Sequence, residues 1–379
     1  MKLLNICKLI YNTFSELSLS KKKRNMIEIA IMYLLNVCFN ARYIGTSDAS
    51  TLREVFCNRI RYLIRRTKII YSMLILYYQK SAINLLVCIS LLTGLSLYLI
   101  IDDTFVEKDK RSVYIIKGGK KGYKEGYSLL TMILVVGSIE IPLLVKPCYR
   151  KVISESLGIL YLSKIDKAEY YLRLFYNLGL NKVKTIVLLD SWYTCNRILK
   201  LISDDLPNMG LVGAIKSNRL LNKKRIDSYI MTLISGNELK DHYFYELGIQ
   251  TGTLNNLSNR YSILISRRLN LLENKYSIRY IICSELDFTA IEILHHYQNR
   301  WRIEVFHRIF KHRFSPERWR FYSNEDVLDD GKSKSVSLIC ISNLCCLCVM
   351  SLGFAVRYTV NQHYKDEIVN TTLGESFIS

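Results

Sequence analysis

Leu95-Ser-Leu-Tyr-Leu-Ile-Ile-Asp102-Asp103-Thr104 is the stretch on which the fold turns. A nearly unbroken apolar run of strand length suits a strand buried on both faces of a sheet. Two carboxylates follow it at once, and the C-terminal ends of strands are where open α/β sheets place their chemistry. Lys117-Gly-Gly-Lys-Lys-Gly122 then reads as a flexible basic loop. Residues 128–136 and 139–145 read as two further strands joined at Gly137-Ser138, which makes a meander of three. Residues 153–178 read as one long helix or two short ones, ending at Gly179 or shortly beyond. Residues 182–189 form the fourth strand, and it too ends in a carboxylate, within Asp190-Ser191-Trp192-Tyr193. A helix over 194–206 and a fifth strand over 209–216 complete the series.

Three strands, helix, strand, helix, strand is the order of the ribonuclease-H-like fold, a mixed α/β sheet flanked by helices. Its carboxylates are expected at the first and fourth strands, where Asp102 and Asp190 fall. Between about 217 and 284 short alternating stretches separated by turn-rich segments predict a β-rich insertion placed before the last helix of the site. Residues 1–94 read as a helical, basic region suited to binding DNA, with Lys21-Lys22-Lys23-Arg24 and the arginines of 53–66 as its cationic clusters. Residues 95–379 form the expected catalytic domain.

That last helix is Tyr297-Gln-Asn-Arg300-Trp-Arg-Ile-Glu304-Val-Phe-His-Arg-Ile-Phe-Lys311, which contains no Gly or Pro. Wound continuously, it brings Tyr297, Arg300, Glu304 and Lys311 within about 60° of one another. Ile303, Phe306, Ile309 and Phe310 then form an apolar stripe on the other side. A lone carboxylate among cations suits a site that holds both a metal ion and a phosphate backbone. The bland alternative is an amphipathic core helix with a solvated basic face.

The spacing Y-x2-R-x3-E-x6-K resembles the signature of the YREK branch of DDE insertion-sequence transposases, the insertion-sequence-four-like group. Asp102-x-Thr104 and Asp190-x-x-Tyr193 are similar to that family's other two segments. The resemblance implies a ribonuclease-H-like core in which Asp102, Asp190 and Glu304 are the catalytic, metal-binding triad. Asp103 stays open as an alternative first ligand. Hard oxygen donors suit Mg²⁺, with Mn²⁺ as a substitute, and two such ions relieve the repulsion among three carboxylates. The resemblance also implies that Tyr297, Arg300 and Lys311 bind DNA, that the partner is double-stranded DNA at transposon ends and target, and that a homodimer forms the synaptic complex. The implied activity is cut-and-paste DNA transposition, with a cytoplasmic, nucleoid-associated location. A nuclease of the same fold that cuts without joining, and an inactive DNA-binding relative, are the rival readings.

Composition narrows the field in the same direction. The 379 residues carry 53 Lys and Arg against 33 Asp and Glu, a net charge of +20, which favours a polyanionic partner. The 11 cysteines show no paired C-x2-C spacing, so buried thiols in a reducing compartment are expected over a zinc site. Two apolar runs, 83–101 and 336–356, are long enough to span a bilayer. The first contains Thr93-Gly94 and runs into Asp102, which reads as a buried helix breaking into a central strand; the second reads as a final core helix. No membrane partner is expected.

Overall fold

In the computed structural model, the described residues are 68–107, 115–119, 122–149, 151–156, 160–232, 237–240, 243–270, 275–314, 316, 345–354 and 356. The basic clusters at 21–24 and 53–66 lie outside them. Helix α1 (Lys68–Thr93) ends at Gly94, whose φ of 67° stops the helix and turns the chain into β1 (Leu97–Glu107). A hairpin of β2 (Ile115–Gly119) and β3 (Gly122–Val136) follows, then β4 (Ile139–Cys148), α2 (Lys151–Ser156) and α3 (Lys164–Leu178). Strand β5 (Thr185–Leu189) leads to α4 (Asn196–Lys200), which continues as a π-helical turn over Leu201–Asp205, and then to β6 (Met209–Ala214).

The central order is β4-β3-β1-β5-β6. Strand β1 runs antiparallel to β3 and parallel to β5, and β5 is parallel to β6. This is the ribonuclease-H-like arrangement, with the first strand at the centre. Every residue of β5 is buried, which its continuous apolar sequence allows. The glycine-rich segment expected as a loop instead contributes β2, paired to the first half of β3, while β4 pairs with the second half.

The sheet does not stop at β6. After the small β7 (Leu220–Leu221) and β8 (Lys224–Arg225) hairpin come β9 (Asn237–Lys240), β10 (Tyr243–Thr253), β11 (Arg260–Asn270) and β12 (Lys275–Cys283). Strand β12 pairs antiparallel with β6 from Ile281↔Ala214 to Cys283↔Val212, so these strands extend one mixed sheet of ten.

Helices cover both faces. On one, α1 is fastened to β4 by Tyr78 Oη donating to Pro142 O at 2.7 Å and Gln79 Nε2 donating to Leu143 O at 3.0 Å. Helix α7 (Cys345–Phe354) lies beside it, with Phe354 edge-on to Tyr78. Cys345, Cys346 and Cys348 are buried. By length and composition the Met73–Thr93 part of α1 could cross a membrane, and half of its most apolar window is buried within the protein.

On the other face lie α5 (Ala290–Gln298) and α6 (Trp301–Phe314). The single helix expected from Tyr297 to Lys311 is in fact these two, broken at Asn299-Arg300. Asn299 Nδ2 donates to His295 O at 3.1 Å, a side-chain bond that competes with helix continuation. The chain crosses the break through tight i to i+3 bonds, Arg300 N to Tyr297 O and Ile303 N to Arg300 O. Ile303, Phe306 and Phe310 are buried as expected, but Ile309 is 45% exposed.

Candidate active site

Asp102 and Asp103 are neighbours in sequence and opposites in space. Successive side chains of a strand point to opposite faces, and the contacts follow that rule. Strand β1 does not end at the pair but runs on to Glu107 along β3. Its parallel pairing with β5 stops at Ile101↔Leu189, so Asp102, within β1, and Asp190, just past β5, stand one position beyond that pairing.

Asp102 faces α6. Its Oδ2 accepts from Arg300 Nη1 at 3.1 Å, and its Oδ1 accepts from the Asp103 backbone N–H at 2.7 Å. Burial pushes its carboxyl up to about 6, and the Asp190 and Asp103 charges push the same way against the Asp103 N–H and Arg300. Asp103 is fully partnered on the far side. It accepts from Lys164 Nζ at 2.6 Å, Ser128 Oγ at 2.9 Å and Tyr193 Oη at 3.2 Å. Burial alone would raise its carboxyl, but these donors outweigh it and hold the group below the ordinary value.

Asp190 is fixed by its own loop. Its Oδ1 accepts from the backbone N–H of Trp192 at 2.9 Å and of Tyr193 at 3.2 Å. Tyr193 is buried, and Thr194 Oγ1 reaches Ala214 O at 2.7 Å. A Cβ on Gly213 would meet Thr194 Cγ2 at 2.7 Å, so the missing side chain lets this loop close on β6.

Glu304 sits in the first turn of α6 and accepts from Arg300 Nη2, an i, i+4 contact across the helix start. The guanidinium therefore joins Asp102 to Glu304. Although burial works against its charge, Tyr297, Asp102 and Glu304 raise the affinity of Arg300 for its proton. The guanidinium carbon stands 5.8 Å from the centre of the Tyr297 ring, close enough for a cation–π contact. Arg302 holds α6 to the β3–β4 turn by donating to Gly137 O at 2.6 Å. Lys311 lies two turns beyond Glu304 and is half-buried.

The two aspartates are thus brought to one end of the sheet, and Arg300 links the first of them to Glu304. Among the described residues no three His, Cys, Asp or Glu side chains are gathered around a single point as a metal site. The donors are nonetheless of the right kind for a hard divalent ion: carboxylates, that of Asp102 with its charge disfavoured by burial. Arg300 is the cation that now offsets them.

The roles of Lys164 and Ser128 left no mark in the sequence, because neither belongs to a spaced motif.

The strand order defines a ribonuclease-H-like α/β protein, with Asp102 and Asp190 where β1 and β5 part. No protein-family model matches the chain, and no curated protein matches its sequence. Among solved structures it is similar to a piggyBac transposase in its synaptic complex with hairpin DNA. That match has 12% identity and a TM-score of 0.44, and covers 100% of this chain and 80% of that one. It is also similar to the NurA nuclease from Sulfolobus solfataricus, at 13% identity and a TM-score of 0.21 over 52% of this chain and 71% of that one.

Proposed function

We propose that the chain is a DNA transposase of the DDE type, which cuts DNA at the ends of an insertion sequence and joins those ends to a target. The reading rests above all on one observation: Asp102 and Asp190 stand just past the end of the parallel pairing of β1 with β5, and Arg300 ties Asp102 to Glu304 on the facing helix. A helix bearing one carboxylate, laid over two acidic strand ends, is an arrangement suited to phosphodiester chemistry.

Asp102, Asp190 and Glu304 would hold the divalent ions, Mg²⁺ or Mn²⁺. When bound, such ions lower the pKa of the attacking hydroxyl or water and offset charge on the leaving oxygen. The chain's own residues do the rest. The Asp190 loop fixes one carboxylate through two backbone N–H groups. Lys164, Ser128 and Tyr193 tie Asp103 back, so that only Asp102 of the pair faces α6. Arg300 neutralises the carboxylates before DNA arrives and then turns its charge to a phosphate, with Tyr297 and Lys311 beside it on the DNA path. The net charge of +20 supports a DNA partner held electrostatically. A homodimer at paired ends, in the cytoplasm with the nucleoid, completes the proposal.

Glu304→Gln tests it. The substitution is nearly isosteric but removes an anionic ligand, so cleavage of end-containing DNA in Mg²⁺ should fall by several orders of magnitude while DNA binding persists. Cleavage at the wild-type rate would remove Glu304 from the site. A gel assay for joining of pre-cut ends separates the two activities, and cutting without joining would make the protein a nuclease.

A further inference from the structure

The parallel ladder of β1 with β5 ends at Ile101↔Leu189, so the two strands part where their acids begin. Beyond that point the ladder no longer fixes Asp102 relative to Asp190. A side-chain bridge crosses the gap instead. Tyr193 is completely buried and donates its hydroxyl to Asp103 Oδ1 at 3.2 Å, while its backbone N–H donates to Asp190 Oδ1 at 3.2 Å. Asp103 in turn donates its own backbone N–H to Asp102 Oδ1 at 2.7 Å. Three hydrogen bonds thus run in series from the carboxylate of Asp190 to that of Asp102.

The middle of this series is held firmly. Asp103 Oδ2 accepts from Lys164 Nζ at 2.6 Å and from Ser128 Oγ at 2.9 Å. Lys164 is the first residue of α3, and a reciprocal cap between Ser163 and Asp166 fixes that helix start. Arg197 of α4, beyond the Asp190 loop, donates to Asp166 Oδ1 at 2.5 Å and closes the circuit on the far side of the loop. The Arg197 side chain is 55% exposed, and pairs of that kind contribute little. The Asp103 side chain is only 17% exposed, so the inner link dominates.

Strand alternation places Asp103 on the face opposite Asp102. It can therefore steady its neighbour through the backbone of β1 without competing for the same ion. Groups that orient metal ligands from outside the ligand set commonly do so through hydrogen bonds of this sort.

We infer that Asp103 is a positioning residue, which through the hydroxyl of Tyr193 fixes the carboxylates of Asp102 and Asp190 relative to each other for a divalent ion that both hold. This role rests on the reading of those two aspartates as metal ligands and adds what sets their relation. The adjacent acids then have different tasks: Asp102 binds, and Asp103 anchors.

Binding of Mn²⁺ alone tests it, followed by the electron paramagnetic resonance of free Mn²⁺ with the full chain and no DNA, so that no turnover is involved. Tyr193→Phe keeps the buried ring and removes the hydroxyl, and should weaken Mn²⁺ binding roughly ten- to hundredfold. Asp103→Ala should weaken it as much. Asp103→Asn keeps a carbonyl oxygen for the Tyr193 hydroxyl and should recover most of the loss. A purely structural role would lower the unfolding temperature but leave the Mn²⁺ affinity of the folded variants unchanged. Wild-type affinity in Tyr193→Phe would overturn the inference, and should that variant not fold, wild-type affinity in Asp103→Ala would do the same. A loss in Asp103→Asn equal to that in Asp102→Asn would also overturn it, by making Asp103 a ligand itself. Wild-type affinity in Asp102→Asn is a separate outcome, which would remove Asp102 from the metal site and sink the underlying reading.

Discussion

Arg300 is the residue at which the charges of the site meet. It is only 17% exposed at its side chain and holds Asp102 and Glu304 with its two terminal nitrogens. A buried charge kept between two partners costs more to strip bare than the pair itself contributes, so removing one member leaves the others uncompensated. Arg300→Ala should therefore have a binding signature and not only a structural one. The salt dependence of duplex DNA binding should flatten by about 0.9 in slope, the loss of one phosphate contact. Titrations of affinity against salt concentration measure it, and an unchanged slope would confine Arg300 to balancing the carboxylates. The meeting of Arg300 with Glu304 was readable beforehand, since the two are four apart in sequence. The contact of Arg300 with Asp102, 198 positions away, was not.

At the scale of elements, α6 is held by a stripe of rings. Phe310 is buried between Phe306 and Phe314, with ring centres at 5.9 and 5.3 Å. Phe310→Ala should cost about 3–5 kcal/mol of unfolding free energy, as truncations of well-packed aromatic side chains do. Denaturant titration measures this, and a cost below about 1 kcal/mol would mean that the helix is anchored elsewhere. The same element corrects the helical-wheel argument. Tyr297 and Glu304 belong to different helices, joined through Asn299-Arg300, yet Arg300 still touches both side chains. Helix propensity saw no obstacle there, because an Asn side chain taking up a carbonyl three or four residues back is a local competition that propensity does not register.

For the whole molecule, a pH dependence of stability is expected from His307. This side chain is 92% shielded, with 8% exposed, and its Nε2 has no hydrogen-bond partner among the described residues. Burial, with Lys311 and Arg300 nearby and Asp103 opposing, lowers its pKa from 6.5 to about 4. Below 6.5 the unfolded chain binds the proton and the folded chain does not, so the stability His307 confers is complete above that pH and is lost as pH falls toward about 4. The shift corresponds to about 3 kcal/mol. Asp102 acts in the opposite sense, because its contribution is present below 3.8 and lost as pH rises toward about 6. Comparing wild type with His307→Leu isolates the first effect. The stability difference between them should change by about 3 kcal/mol between neutral pH and about pH 4, and a constant difference would show that His307 does not titrate there.

What the sequence by itself determined is the order of the central strands and the acids that follow their apolar runs. Apolar runs of strand length, punctuated by Gly94, Gly137 and Gly179, are local signals, and local signals are legible in a linear chain. The tertiary structure alone decided which face each acid occupies in its company: Asp103 with Lys164 and Ser128, Asp102 with Arg300. It also decided that β12 joins β6, so that the predicted β-rich insertion continues the central sheet. Both are pairings between residues tens to hundreds of positions apart. They depend on which surfaces remain to be covered once the local elements exist, and no spacing in the chain encodes that.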